Sequence, residues 1–185
     1  MGGPRCIETP RLVLRKPEPA DAAAILSRYA SDPEVTRYLS WPRHESIDDT
    51  REFLELSEQA WNRSPAGPSL IESRAEPNLL GCTGLDFKSE DAATTGYVLS
   101  RDSWGKGFAT EALAAIVDVA RDLGVRRLSA ECHPDNAASV RVLKKCGFLR
   151  DESSEREASF PNLAGGVTVR CLFYVRTPQP VSRPS

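Results

Sequence analysis

The sequence predicts one α/β (α+β) domain: a mixed, mostly antiparallel central sheet with helices on both faces. Three observations support that fold class. Residues 94–124 run from a strand-like segment holding Tyr97, Val98 and Leu99, through glycines at 105 and 107, into a helical pattern. That pattern is Leu113, Ile116, Val117, Ala120 and Leu123, and Gly124 stops it. A second strand-to-helix unit follows, from residues 128–132 to a short helix that Asn136 or Asp135 caps and Gly147 ends. Ahead of both, strand-like segments at residues 69–73, 80–87 and 94–100 are joined by turns at Pro77-Asn78 and around Asp91, which is the pattern of a meander.

The remaining elements fit the same unit. A first strand is expected over residues 11–16, and a helix over 20–30 with Ile25, Leu26 and Tyr29 inward. Pro33 restarts a short helical piece toward Tyr38. Ser46 with Asp49 three residues on resembles a capping box, Asp standing for Glu. It opens a helix to about Arg63 whose apolar stripe is Phe53, Leu54, Ala60 and Trp61. Strand-like pieces at 154–160 and 167–175 are expected to close the sheet around Gly165-Gly166. The domain is therefore read over residues 9–176. Residues 177–185, with three prolines and no large apolar run, are read as a disordered tail. No repeat or long linker divides the chain, and 185 residues suffice for one full core.

Composition narrows the partners. A net charge of −2 argues against a nucleic-acid binder driven by bulk charge. No apolar run approaches a membrane span, and the N-terminus lacks an apolar signal core. Five cysteines with no C-x-x-C pattern argue against a disulfide framework. Cys82, Cys132 and Cys171 fall in strand-like alternations and read as buried free thiols, so a reducing cytoplasm is expected. His44 and His133 have no ligand-like cysteine spacing, and no metal site is expected.

The run from Arg101 to Ala112 is the most informative stretch. A strand, a glycine turn and an amphipathic helix bring several unpaired backbone N–H groups to one point, with the positive end of the helix dipole behind them. That is an anion site, suited to phosphate or pyrophosphate. Gly107 and Ala109 leave the ligand free to approach the backbone. A nucleotide P-loop needs four residues between its first Gly and a Gly-Lys-Ser/Thr, which the chain lacks. A dinucleotide fingerprint needs Gly or Ala where Thr110 stands. The pyrophosphate loop of a coenzyme A enzyme and an ordinary strand-to-helix connection remain.

The second unit, His133-Pro134-Asp135-Asn136-Ala137-Ala138-Ser139 through Gly147-Phe148, decides between them. Together the two segments resemble the GNAT family of N-acetyltransferases. Its first motif reads Arg/Gln-x-x-Gly-x-Gly/Ala, and its second reads Asn-x-x-Ala/Ser followed by Gly-Phe. Here Gly107 and Ala109 fill the small positions, Trp104 replaces the usual Arg or Gln, and Asn136, Ser139, Gly147 and Phe148 fill the second motif. Trp-Gly-Lys-Gly-x-Ala-Thr-Glu-Ala with Asn-x-x-Ser-x-x-Val-Leu is similar to the RimJ/RimL branch, whose named members acetylate the amino termini of ribosomal proteins. Thr9-Pro10-Arg11-Leu12-Val13-Leu14-Arg15 matches that branch's opening strand. The resemblance covers about residues 9–175.

The resemblance implies a GNAT-like domain with a V-shaped splay between the two motif-bearing strands, and acetyl-CoA as cosubstrate. The cosubstrate would lie on Val98, Leu99, Ser100, Trp104, Gly105, Lys106, Gly107, Phe108, Ala109, Thr110, Asn136 and Ser139. Its pantetheine arm would pair with the free strand edge. Ser139 is the candidate general acid toward the leaving sulfur, or else a first-turn serine stabilising its helix. Asn136 is a candidate catalytic residue and also an N-cap. The family's more common Tyr would fall at Leu143. The carboxylate base that many branch members carry would fall at Thr94, so the base is unassigned. Tyr97, Asp86 and the acids of residues 31–58 are the places to look.

The partner expected is an amine, most simply a protein or peptide α-amine, whose pKa of about 7.7–8.0 leaves a useful neutral fraction. A small amine such as an antibiotic or polyamine is the alternative, and a non-catalytic acyl-CoA sensor is the third reading. Residues 31–58 hold eight acids against three arginines, which is either an acidic rim for a cationic acceptor or a solvated helix face. Arg141, Lys144, Lys145 and Arg150 would meet the ribose phosphate of the coenzyme, or form the wet face of their helix. A monomer or homodimer is expected.

Overall fold

The structure is a computed structural model and describes residues 6–178. Of the expected tail only Thr177 and Pro178 fall inside that range; the rest lies outside the described residues. The main sheet has eight strands. In chain order they are β1 (Cys6–Glu8), β2 (Leu12–Arg15), β3 (Pro68–Ser73), β4 (Leu79–Phe87), β5 (Ala92–Leu99), β6 (Arg127–Cys132), β7 (Leu149–Arg150) and a last strand at Leu172–Arg176. That last strand is β10, because β8 (Glu157–Phe160) and β9 (Val167–Arg170) precede it and form a separate two-stranded ribbon. The spatial order is β1-β2-β3-β4-β5-β6-β10-β7. Every pairing is antiparallel except β5 with β6.

The helices are α1 (Ala22–Ile25), α2 (Pro33–Thr36), α3 (Ile47–Arg63), α4 (Phe108–Asp122) and α5 (Ala137–Lys145). The capping box of α3 forms as expected: Asp49 N–H donates to Ser46 Oγ, and Ser46 N–H to Asp49 Oδ2. The helix expected at 20–30 is composite. A 3-10 turn at Pro19–Asp21 leads into α1, and a π turn at Leu26–Ala30 closes it, with Ser31 N–H reaching the Leu26 carbonyl at 3.2 Å.

Strand alternation sends neighbouring residues to opposite faces of the sheet, and each face has its own core. Ile71 and Leu99 join Leu113, Ile116, Val117 and Ala120 of α4 on one face. Leu70 and Val98 join Ile25, Tyr29 and Leu54 on the other. Helices therefore cover both faces. Each fully buried Leu, Ile or Val contributes about 1.5–3 kcal/mol, so α4 is held mainly by its inward stripe. At Gly81 the strands β4 and β5 approach so closely that a Cβ would lie 1.9 Å from the Val98 carbonyl oxygen, which only glycine permits.

The splay is present. β5 and β6 are in register for three pairs, Ala92 with Arg127, Ala93 with Leu128 and Thr94 with Ser129, and then part. Beyond Thr94, β5 continues along β4 to Leu99 while β6 continues along β10.

Two expectations are corrected. Residues 154–160 and 167–175 do not both join the main sheet. Gly165 and Gly166, at φ +82° and +62°, turn β8 back onto β9, and the chain breaks at buried Cys171, whose N–H bonds the Arg156 carbonyl. Only after that break does β10 enter the sheet. The opening strand is also longer in effect than residues 11–16, since β1 pairs with β2 to form an outer hairpin.

Candidate active site

A cleft of about 1060 Å³ opens where β5 and β6 part. Thr94, Thr95, Gly96, Tyr97 and Val98 of β5 line it, as do Ala130, Glu131 and Cys132 of β6, and Asn136, Ser139 and Leu143. On the side of β5 that faces the gap, residues beyond Thr94 have no strand partner. An extended ligand segment fits such an edge.

The glycine turn lies at the end of β5. Gly105 and Gly107 have φ of +74° and +81°, and Gly107 is the N-cap of α4 without any side-chain cap. Among the described residues, the N–H groups of 105–110 find no protein acceptor. The first one satisfied is Glu111 N–H, on the Gly107 carbonyl at 3.1 Å. Six free amides at a helix N-terminus suit a pyrophosphate. The loop is braced from outside. Arg11 Nη1 donates to the Lys106 carbonyl at 2.9 Å, and the Arg11 guanidinium lies 4.7 Å from the Phe108 ring centroid. Trp104, 47% exposed, donates its indole N–H to the Leu99 carbonyl at 2.8 Å and so occupies the last acceptor of β5. Ser100 is buried, its hydroxyl tied to Asp102 and Ser103 at 2.7 and 2.8 Å, where it fixes the turn. Of the expected cosubstrate residues, Val98, Asn136 and Ser139 line the cleft, while residues 104–110 form the separate amide-bearing turn at its end.

In the second unit, Asn136 caps α5 by accepting the Ser139 N–H at 3.1 Å. The Ser139 hydroxyl is thereby released from any capping duty. It faces Tyr97 and Cys132: burial pushes the Tyr97 phenol up to about 12 and the Cys132 thiol up to about 11, and the Ser139 hydroxyl offsets part of each shift. Both groups are neutral at physiological pH, which makes this end of the cleft a weakly polar, uncharged surface suited to a thioester.

The other end is built by residues 37–45 and the first turns of α3. Tyr38 stacks on His133 at 4.8 Å, and Phe160 meets the same imidazole edge-on at 4.8 Å. Asn162, between β8 and β9, donates from Nδ2 to the carbonyls of Thr36 and Trp41, both at 2.8 Å. Its Oδ1 accepts the Arg43 N–H at 2.7 Å. Thr94 is half-buried and stands directly opposite Asp86 of β4, and its hydroxyl reaches the Asp86 carbonyl. Asp86 pairs with Lys88, and Glu131 with Arg156.

Sequence reasoning missed Arg11, Glu111 and Asn162 as site-shaping residues. Arg11 and Glu111 both stand in the stretches that carry the family resemblance, and that was the available signal. Nothing local marks Asn162, whose partners are about 120 positions away.

A splayed sheet with an amide-bearing turn at the parting strand defines a coenzyme A-dependent acyltransferase. Residues 11–149 match the acetyltransferase (GNAT) domain, and the chain belongs to that family. It is an acetyl-CoA-dependent N-acetyltransferase. The uncharacterized N-acetyltransferase p20 of Bacillus licheniformis is 31% identical over 146 residues, 77% of this chain and 82% of that protein. The acetyltransferase from Salmonella typhimurium that modifies the N-terminal serine of ribosomal protein L7/L12 superposes with a TM-score of 0.76. It is 21% identical, covering 92% of this chain and 97% of that one. The spermidine N-acetyltransferase from Vibrio cholerae, in complex with CoA and spermine, gives 0.76 at 19% identity, with 92% and 97% coverage. At these identities the two structures show a shared fold. Among the described residues no helix is long and apolar enough to cross a membrane.

Proposed function

We propose that the enzyme acetylates the α-amine of a protein or peptide by direct attack on acetyl-CoA in a ternary complex. The observation behind this is the parting of β5 from β6 after Thr94, with Ser139 inside the gap and the free amides of 105–110 at its end. The amides and the α4 dipole bind the pyrophosphate. The free edge of β5 holds the pantetheine arm. The Ser139 hydroxyl hydrogen-bonds the departing sulfur, and Asn136 fixes the first turn of α5 that presents it. Holding both reactants in one cleft provides up to ~7–11 kcal/mol, so few catalytic side chains are needed.

An α-amine fits a site with Thr94 in place of a strand carboxylate, because such an amine is partly neutral near pH 7. The solved neighbours include one named for a ribosomal-protein N-terminus and one named for spermidine, so a small polyamine is the competing acceptor. In the cleft, Asp49 and Glu52 have no ion-pair partner among the described residues, which favours a cationic acceptor of either kind. Release of free thiol from acetyl-CoA, measured over a panel of peptides and polyamines, tests the proposal. Peptide turnover above polyamine turnover supports it. Coenzyme binding without turnover on any amine would instead indicate an acyl-CoA sensor.

A further inference from the structure

His44 lines the same cleft as Ser139. Its backbone N–H bonds the Ala30 carbonyl at 3.0 Å, and its Nδ1 lies 2.9 Å from the hydroxyl of Thr50, a fully buried residue of α3. Trp41 and Phe53 enclose the ring, with centroids at 5.2 and 6.3 Å. One imidazole nitrogen is thus fixed by a hydroxyl and the ring plane is set by two aromatics. Such a ring is oriented, as a base must be.

The other carboxylates in the cleft are engaged elsewhere or exposed. Asp49 accepts the Glu45 and Ser46 N–H groups, both at 2.8 Å. Asp86, Glu131 and Glu45 pair with Lys88, Arg156 and Arg43. Glu52 is exposed.

We infer that His44 is the general base of the acetyl transfer, with Nδ1–H donating to Thr50 Oγ1 and Nε2 receiving the proton of the acceptor amine. The inference rests on the proposal that this cleft acetylates amines. Nε2 takes one proton from the acceptor ammonium and frees the nitrogen lone pair. The C–N bond forms as the C–S bond breaks, the second proton of the nitrogen goes to the departing sulfur beside Ser139, and Nε2 returns its own proton to water. Burial among the aromatics lowers the His44 pKa from its usual 6.5, against the opposing pull of Asp49, so the ring is neutral and able to accept a proton near pH 7. The charged groups that line the cleft with it are Asp49 and Glu52 from α3, Arg43 and Glu45 from the preceding segment, Asp86 and Lys88 from the end of β4, Glu131 of β6, and Arg156 beside β8; of these, Asp49 acts on the ring.

The test compares wild type with His44→Gln. The variant is expected to lose about 10²-fold in kcat/KM while keeping its acetyl-CoA affinity. The wild-type kcat/KM profile should show an acid limb below pH 6.5, at the same position for every acceptor, and His44→Gln should lack it. The chain has two histidines, so His44→Gln assigns the His44 ring signal by NMR, and its titration midpoint should match the kinetic one. Thr50→Val removes the hydroxyl that orients the ring and should cost about tenfold in kcat/KM; it reports independently if His44→Gln folds poorly. Wild-type rate and an unchanged acid limb in His44→Gln, or a ring midpoint that disagrees with the kinetic one, would overturn the assignment alone. Loss of the acid limb in Glu52→Gln would move the role to Glu52. Failure of wild type to turn over any amine would overturn the assignment and the proposed function together.

Discussion

Arg11 and Glu111 are a hundred positions apart and form a 2.6 Å ion pair that locks β2 to the first turn of α4. The same carboxylate accepts the Arg11 N–H at 2.9 Å and the Thr9 hydroxyl at 2.6 Å. Burial pushes the Glu111 carboxyl up, but these bonds outweigh it and hold it below its usual range. Since Arg11 also grips the Lys106 carbonyl, one side chain sets the path of the whole amide-bearing turn. Arg11→Ala is expected to weaken acetyl-CoA binding about tenfold, and Arg11→Lys to recover little, because one ammonium cannot span both partners as the fork does. Titration calorimetry on folded protein checks this; unchanged affinity in Arg11→Ala would sink it.

At Gly107 the expected loss is larger. A side chain there is strained by the φ of +81° whatever space it has, and the first atom it meets is Arg11 Nη2 at 3.4 Å. Left-handed backbone costs a non-glycine residue about 1–2 kcal/mol, and a β-branched one more. Gly107→Val should therefore abolish coenzyme binding in a protein whose circular dichroism stays native. Binding at wild-type strength would refute the pyrophosphate assignment.

Substitutions at Ser139 and Asn136 separate the proposed catalytic role from folding. Asn136 supplies the cap, so Asn136→Ala should cost about 0.5–2 kcal/mol of stability. Ser139→Ala removes a hydroxyl that does not cap, and should lower kcat about 10²-fold with the melting temperature and coenzyme affinity nearly unchanged. A lowered melting temperature with normal turnover in Ser139→Ala would restore the helix-stabilising role.

Asn162 holds the end of the cleft proposed for the acceptor. Asn162→Ala leaves two carbonyls and one N–H without their partner and frees the segment 36–43. The acceptor KM should rise at least about tenfold while the acetyl-CoA Kd stays put, since each of the three lost hydrogen bonds is worth about 0.5–1.5 kcal/mol. Initial-rate kinetics with each substrate varied in turn distinguish this from a general loss of fold.

Acid stability should depend on Asp21. Burial raises its carboxyl pKa, but the bonds from Arg15, at 2.7 and 2.8 Å, and from the Glu18 N–H outweigh that and hold it below 3.8. A depressed native pKa means the stabilisation is complete above 3.8 and is lost as pH falls toward the native value. Asp21→Asn should thus melt below wild type at pH 7, and the gap should narrow as pH drops below 3.8. A gap that stays constant from pH 7 to pH 3 contradicts this.

Most of the fold was legible because it is written in local patterns. The capping box at Ser46, the helical stripe after Gly107 and the Asn136 cap each sit within a few residues of what they control. The parting of β5 from β6 was expected from the family resemblance rather than from any periodicity. What was not legible is mostly long-range, Asn162 reaching Trp41 and Arg11 reaching Lys106; the His44–Thr50 contact is only six positions apart, but no local pattern marks it. The ribbon of β8 and β9 was misplaced for a related reason. Its alternation reads as strand, and nothing in that alternation says which edge, if any, the strand will join.

The separateness of that ribbon has an engineering consequence. Its strands pair only with each other, and it reaches segment 36–43 through one asparagine between them. The acyl donor machinery, by contrast, is welded into the eight-stranded sheet and α4. In the proposed function the ribbon beside the acceptor thus shares no strand pairing with the sheet that carries the donor. Grafting a hairpin of different length or sequence between Phe160 and Val167 is a route to new acceptor preferences that leaves the thioester-handling scaffold intact.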